Sequence, residues 1–288
     1  MFWRRNAGHA SDGQGRVRDR GGRWRRRAAL LTVLVVLVAA ASASGVWFWR
    51  GGSTNEHPAR TAVIVDQLSL TAPNQEFVDT ATGILQDAGY SVSYYPGEQV
   101  TVDLYRNLAA QNYDLVILRV HSAPVTVHND LTGQTTNSDF LSLFTGESYS
   151  RDKYQQEQDL GRIARSRYLR PNTPGEYVFG IVPSFVQRSM QGRFNGAPII
   201  MMGCDGLRSQ TTAQAFLDKG ASDFVSWSQP VSSVHTDQAT ERLLQRYLKD
   251  HESLADAVKD TAAEVGPDPY FGGELRLLSS TRKPANAG

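Results

Sequence analysis

Three short apolar runs constrain this chain more than any other feature. Ala62-Val63-Ile64-Val65 ends at Asp66, Leu115-Val116-Ile117-Leu118-Arg119-Val120 ends at His121, and Ile199-Ile200-Met201-Met202 ends in Gly203-Cys204. Each run is too short for a core helix and is closed by polar or turn-forming residues. An apolar run of this length suits a strand buried on both faces, as in a parallel sheet. The segments between the runs change to helical periodicity. Residues 75–87 place Phe77, Val78, Ala81, Ile84 and Leu85 on one face, after Asn74 as N-cap and before Gly89 as a stop. Residues 102–111 carry Leu104, Tyr105, Leu108 and Ala109 in the same way.

Helices are likewise expected over 183–190, 211–219, 237–250 and 253–265, and strands over 91–95, 125–127, 177–182, 223–227 and 275–278. Strands alternating with helices imply right-handed βαβ units. The predicted fold class is α/β, a three-layer α/β/α domain with a mainly parallel sheet over residues 61–278. Residues 129–137 read as a polar turn and 148–168 as a charged stretch. Together they mark an insertion at about 129–175 over the sheet's edge. The tail 279–288 reads as loose.

Charge is distributed unevenly. Residues 1–27 hold nine Arg and two Asp, a net of +7; the whole chain carries +1, which leaves −6 for the remainder. The body is therefore mildly acidic and presents no nucleic-acid patch. The Arg- and Gly-rich segment 1–27 reads as disordered and cytoplasmic. Residues 28–49 are uncharged, and as a helix they would span roughly 33 Å, enough for a bilayer core. Trp47 and Trp49 stand at the far end of that span, and the arginines precede it, so the predicted topology is a single transmembrane helix with the body extracytoplasmic. The alternative is a signal peptide cleaved after Ala41-Ser42-Ala43, which secretes the body into the same compartment. Residues 50–60 read as a polar linker.

Functional chemistry concentrates at the ends of the apolar runs. In open α/β sheets, sites form beyond the carboxyl ends of the strands. That rule brings His121 and Cys204 to one edge, together with Asp66. Cys204 is the one cysteine of the chain, so no intrachain disulfide forms. It is a buried inert thiol, an interchain partner or a reactive nucleophile. A thiol becomes nucleophilic when a base takes its proton, and a neighbouring imidazolium depresses its pKa. His128 and His235 are weaker candidates; with His121 they would bind a metal only by converging, and no ligand spacing supports one. No Gly-rich phosphate loop and no Ser-His-Asp motif occurs, and no cofactor is expected.

A strand ending in His, followed by a strand ending in a small residue and Cys, resembles the layout of the caspase-like cysteine peptidases. That superfamily includes gingipain-like and clostripain-like peptidases and the CHAT domains. The segments Ile199-Ile200-Met201-Met202-Gly203-Cys204-Asp205-Gly206-Leu207 and Phe216-Leu217-Asp218-Lys219-Gly220-Ala221-Ser222-Asp223-Phe224-Val225-Ser226-Trp227 are most similar to CHAT or gingipain-type domains. The resemblance covers roughly residues 60–278, the insertion excepted. It implies Cys204 as nucleophile, His121 as general base or acid, and the backbone N–H groups of Ser122 and Cys204 as oxyanion donors. The family normally has Gly after the histidine, where this chain has Ser122 and Ala123. Basic-specific members carry an acid in the substrate pocket, for which Asp205 and Asp237 are the counterparts. The implied function is a membrane-anchored extracytoplasmic cysteine endopeptidase acting on a peptide or protein. The alternative is a catalytically inactive caspase-like domain that binds a peptide or protein at the cell surface. A periplasmic ligand-binding domain of the doubly wound kind is a third reading.

Overall fold

The computed structural model describes residues 60–128, 132–168 and 176–281, all within the unit His57–Gly288. The basic segment 1–27, the proposed membrane span 28–49, nearly all of the linker and residues 282–288 lie outside the described residues. Among the described residues no helix is long and apolar enough to cross a membrane.

In chain order the strands are β1 Arg60–Asp66, β2 Tyr90–Pro96, β3 Leu115–Arg119, β4 Ser122–His128, β5 Thr135–Ser148, β6 Ile163–Arg167, β7 Tyr177–Ile181, β8 Ile199–Met201, β9 Asp223–Trp227 and β10 Leu275–Ser279. The helices are α1 Gln75–Asp87, α2 Val102–Leu108, α3 Gln155–Asp159, α4 Pro183–Arg188, α5 Thr211–Asp218, α6 Ser233–Leu244 and α7 Leu254–Val265. Six strands form one sheet in the order β10-β9-β8-β3-β1-β2, parallel except for β10. The expected α/β class with a mainly parallel sheet is therefore present.

Strand alternation sends residues to opposite faces of this sheet. Val63, Val65, Val116, Leu118, Ile199 and Met201 pack with α2, α4 and α5. Ala62, Ile64, Leu115, Ile117, Ile200 and Trp227 pack with α1, α6 and α7. Both faces are covered, which explains why the runs are apolar without alternation.

The region read as a sheet-edge insertion has a different form. β4, β5, β7 and β6 make a second, antiparallel four-stranded sheet, joined to the first core through Leu141, Leu143, Phe179 and Ile181. The 14-residue β5 starts at Thr135, inside the segment read as a turn. Its buried stretch includes Ser142, a residue that usually signals exposure. Here the Ser142 and Ser166 hydroxyls satisfy one another at 2.7 Å, so their burial costs little.

One buried ionic cluster ties the larger sheet to its loops. Arg119, at the end of β3, has no solvent exposure. It donates to Asp66 Oδ1 at 2.7 Å and forms a two-point pair with Asp237 of α6 at 2.8 and 2.8 Å. A further donor of the guanidinium meets the Ala72 carbonyl at 2.8 Å. Asp66 also accepts from the Tyr94 hydroxyl and the Ser69 N–H, and Asn74 donates to Asp237. Burial pushes the Asp66 carboxyl up against the lowering pull of Arg119, and it pushes Tyr94 up to about 12. Arg119→Met would strand two buried carboxylates. It should cost about 3–5 kcal/mol, read as a lower urea midpoint, whereas adding Asp66→Asn and Asp237→Asn to that variant should recover most of the loss.

Candidate functional site

A cleft of about 860 Å³ opens at the carboxyl end of the parallel strands. It gathers segments that are far apart in sequence: the loop after β1, the residues after β3 and β8, Phe144 of β5, and the start of α6. The last register pair of β3 and β8 is Leu118 with Met201, extended by Met202 N–H donating to the Leu118 carbonyl at 2.8 Å. Three residues further along each chain stand His121 and Cys204, and both line the cleft. The close approach depends on Gly203. A Cβ there would collide with the Val120 carbonyl oxygen and reach within 2.7 Å of Ser122 Oγ.

His121 is held on several sides. Its N–H donates to Gln67 Oε1 at 2.9 Å, and its carbonyl accepts from Phe144 N–H at 2.9 Å. Its Nε2 lies 2.8 Å from Thr71 Oγ1. The ring packs against Phe144 and Tyr168, with centroids 6.0 and 5.4 Å away. Gln67 is itself hydrogen-bonded to the Tyr168 hydroxyl. Thr71 precedes Ala72, whose carbonyl is the one that Arg119 holds.

Cys204 is half-buried, and its thiol donates to the Val231 carbonyl at 3.6 Å. Ser122 Oγ donates to the Cys204 carbonyl at 2.6 Å, which fixes the two strand ends side by side. The expected depression of the thiol pKa is not found. Burial pushes the Cys204 thiol up, and the nearby carboxylates of Asp205 and Asp268 add to the rise. The resting sulfur is therefore a protonated thiol at neutral pH.

The other sequence candidates lie elsewhere. Asp237 is buried against Arg119, and neither Asp237 nor Asp205 is among the residues lining this cleft. Asp205 adopts a left-handed backbone at φ 60°, and its buried Oδ1 has no hydrogen-bond partner; the nearest cation, on Arg208, is 4.0 Å away. Burial raises its carboxyl pKa. Among the described lining residues the permanent charge is that of Arg167, and none is an acid that would pair with a basic substrate side chain. Asp66 serves the Arg119 cluster. His235 stands in α6 with Nε2 3.2 Å from the Gly266 carbonyl and its ring 5.2 Å from Trp227, so it does not converge with His121. His128 ends β4. Among the described residues no group of three His, Cys, Asp or Glu could hold a metal ion.

Gln67, Thr71, Tyr168, Val231 and Phe271 line or support the site and were not singled out from sequence. Gln67 directly follows the end of β1 and Thr71 stands in the same loop five residues past that end, a usable signal. Tyr168 and Phe271 come from segments with no periodic pattern. No protein-family model matches the chain, and no curated protein matches it.

Two outcomes follow from this geometry. Near pH 7.5, iodoacetamide should alkylate Cys204 in the folded chain roughly tenfold more slowly than in denaturing urea, and the folded rate should keep rising beyond about pH 8.5. A plateau below that pH would reveal a thiolate already formed. Gly203→Ala should lower stability by about 1–3 kcal/mol in thermal unfolding, because its methyl meets backbone that cannot rotate away.

Proposed function

We propose that this protein is a cysteine endopeptidase of the caspase-like superfamily, anchored through residues 28–49 with its catalytic domain outside the cytoplasm. The carrying observation is that His121 and Cys204 follow the carboxyl ends of the adjacent parallel strands β3 and β8 and line one cleft. Attack begins when the thiol leaves the Val231 carbonyl and turns to the imidazole. His121 takes the Sγ proton as Sγ bonds to the scissile carbonyl carbon. The C–N bond then breaks, and the same proton passes to the departing amine. Water hydrolyses the remaining thioester, with His121 as base, and frees the thiol.

The oxyanion needs donors beside the sulfur. Phe144 N–H of β5 donates to the carbonyl of His121, the residue just before β4, and in a trans peptide the N–H of Ser122 points opposite to that carbonyl. Its N–H then turns away from β5. That orientation supports Ser122, with the Cys204 N–H, in the donor role without a glycine. Gln67 would hold the His121 backbone and Thr71 the imidazole in register.

A binding module without catalysis is the second reading, favoured by the thiol's bond to Val231 and its raised pKa. The two separate in one experiment. The full-length chain is incubated with a mixture of unstructured peptides, and the products are read by mass spectrometry. Cleavage should fall at least about 100-fold in Cys204→Ala and in His121→Ala. Cleavage that persists in Cys204→Ala, or a wild-type chain that binds peptides and cuts none, would overturn the peptidase reading.

A further inference from the structure

Two large aromatic side chains stand in water beside the cleft. Tyr270 is 81% exposed and Phe271 52%, with ring centroids 6.5 Å apart, and Phe271 lines the cleft wall. Leaving such surface in water forgoes the gain from burying it. Apolar surface held open in this way commonly marks a recognition site.

The mount beneath these rings is rigid. Asp268 is 2% exposed, and its carboxylate accepts from four donors: Ser232 N–H at 2.9 Å, Ser232 Oγ at 2.7 Å, Tyr270 N–H at 2.9 Å and Phe271 N–H at 2.8 Å. Two backbone bonds close the loop on itself, Asp268 N–H to the Gly273 carbonyl and Gly272 N–H to the Asp268 carbonyl, both 2.8 Å. Gly273 packs so tightly that a Cβ would lie 2.6 Å from the Pro230 carbonyl. Glu274 and Ser228 exchange two further bonds, at 2.9 and 3.1 Å. The loop 268–274 is thus stapled to residues 228–232, the segment whose Val231 carbonyl holds the Cys204 thiol. The Phe271 backbone therefore keeps a fixed position relative to the sulfur, so docking against its ring requires no ordering of the loop.

We infer that Phe271 is a specificity-determining residue, the wall of a subsite that takes a bulky uncharged side chain from the residue donating the scissile carbonyl. The inference rests on the peptidase reading and names its substrate class. The described lining holds no acid for a basic side chain, and its cation, the exposed Arg167, has its guanidinium 5.4 Å from the Tyr177 ring, a partner it already has. Phe271 and the half-buried Tyr168 ring, with the edges of Phe144 and Val231, supply apolar surface, and Arg167 would repel a lysine or arginine. An aromatic or large aliphatic side chain finds van der Waals partners on the Phe271 ring and leaves no charge unpaired.

The test uses the full-length chain and four peptides that differ only at the residue donating the scissile carbonyl: Phe, Ala, Lys or Glu. The Phe peptide should exceed the Ala peptide in kcat/KM by about tenfold or more. That ratio should collapse in Phe271→Ala and be partly restored in Phe271→Leu. Thermal unfolding verifies that both variants remain folded, as substitution of a half-exposed ring leads one to expect. Preference for the Lys or the Glu peptide, or a Phe-to-Ala ratio unchanged in Phe271→Ala, would overturn the subsite. A second arm separates this inference from the peptidase reading. Cys204→Ala chain, with and without Phe271→Ala, is titrated with the Phe and Ala peptides. Tighter binding of the Phe peptide that depends on Phe271 supports the subsite even if no peptide is ever cut. Equal binding of both peptides overturns it.

Discussion

The site depends on a guanidinium that never meets water. Arg119 is the last residue of β3, and the chain reaches His121 only two residues later. Its partners come from three directions: Asp66 from the end of β1, Ala72 from the following loop, and Asp237 from α6. Moving such a charge out of water is expensive, and the expense is offset only when every donor finds an acceptor at good geometry. The cluster therefore tolerates little displacement. The loop carrying Gln67 and Thr71 inherits that fixity, and so does His121, whose backbone N–H meets Gln67 and whose imidazole meets Thr71. Rigidity beside the cleft is thus an electrostatic consequence of the strand ends more than of the apolar core.

The thiol is not poised in the resting protein. Burial and two carboxylates favour its protonated form, and the Val231 carbonyl accepts its proton. Under the proposed mechanism this is a resting state, which the incoming peptide must convert. A thiol at its unperturbed pKa would be oxidised more readily, since the thiolate is the reactive species. Protection until a substrate arrives is a coherent property for a lone cysteine.

The parallel sheet was legible because its strands are buried on both faces and so read as unbroken apolar runs. The strand-end rule then sufficed to bring His121 and Cys204 to one edge. The second sheet was hidden for the complementary reason. β5 buries Ser142 and Thr145 among its apolar residues, with their hydroxyls satisfied by Ser166 and by the Phe179 carbonyl. A window of hydrophobicity cannot register a buried hydroxyl that has found a partner. Asp237 misled in another way. An acid near a site edge looks like a substrate ligand until the buried cation that neutralises it is located, and Arg119 was read only as part of an apolar strand. The thiol's raised pKa was illegible because its main cause is burial, which comes from segments distant in the chain, such as the one around Val231. Phe271 belongs to a Gly/Pro loop whose order comes from Asp268, a fixed point no local pattern announces.

Only Val120 and His121 separate β3 from β4, so the chain steps from the parallel sheet into the antiparallel one with no loop between them. The histidine is consequently an axle on which two sheets turn. Its carbonyl belongs to the ladder with β5, while its N–H is held by the loop after β1. Side chains in a strand alternate faces, so adding or deleting one residue here would invert either the imidazole or the whole of β4. Length variation is closed to this junction: the step between the two sheets is fixed at two residues, and a change of side chain is the variation it can absorb.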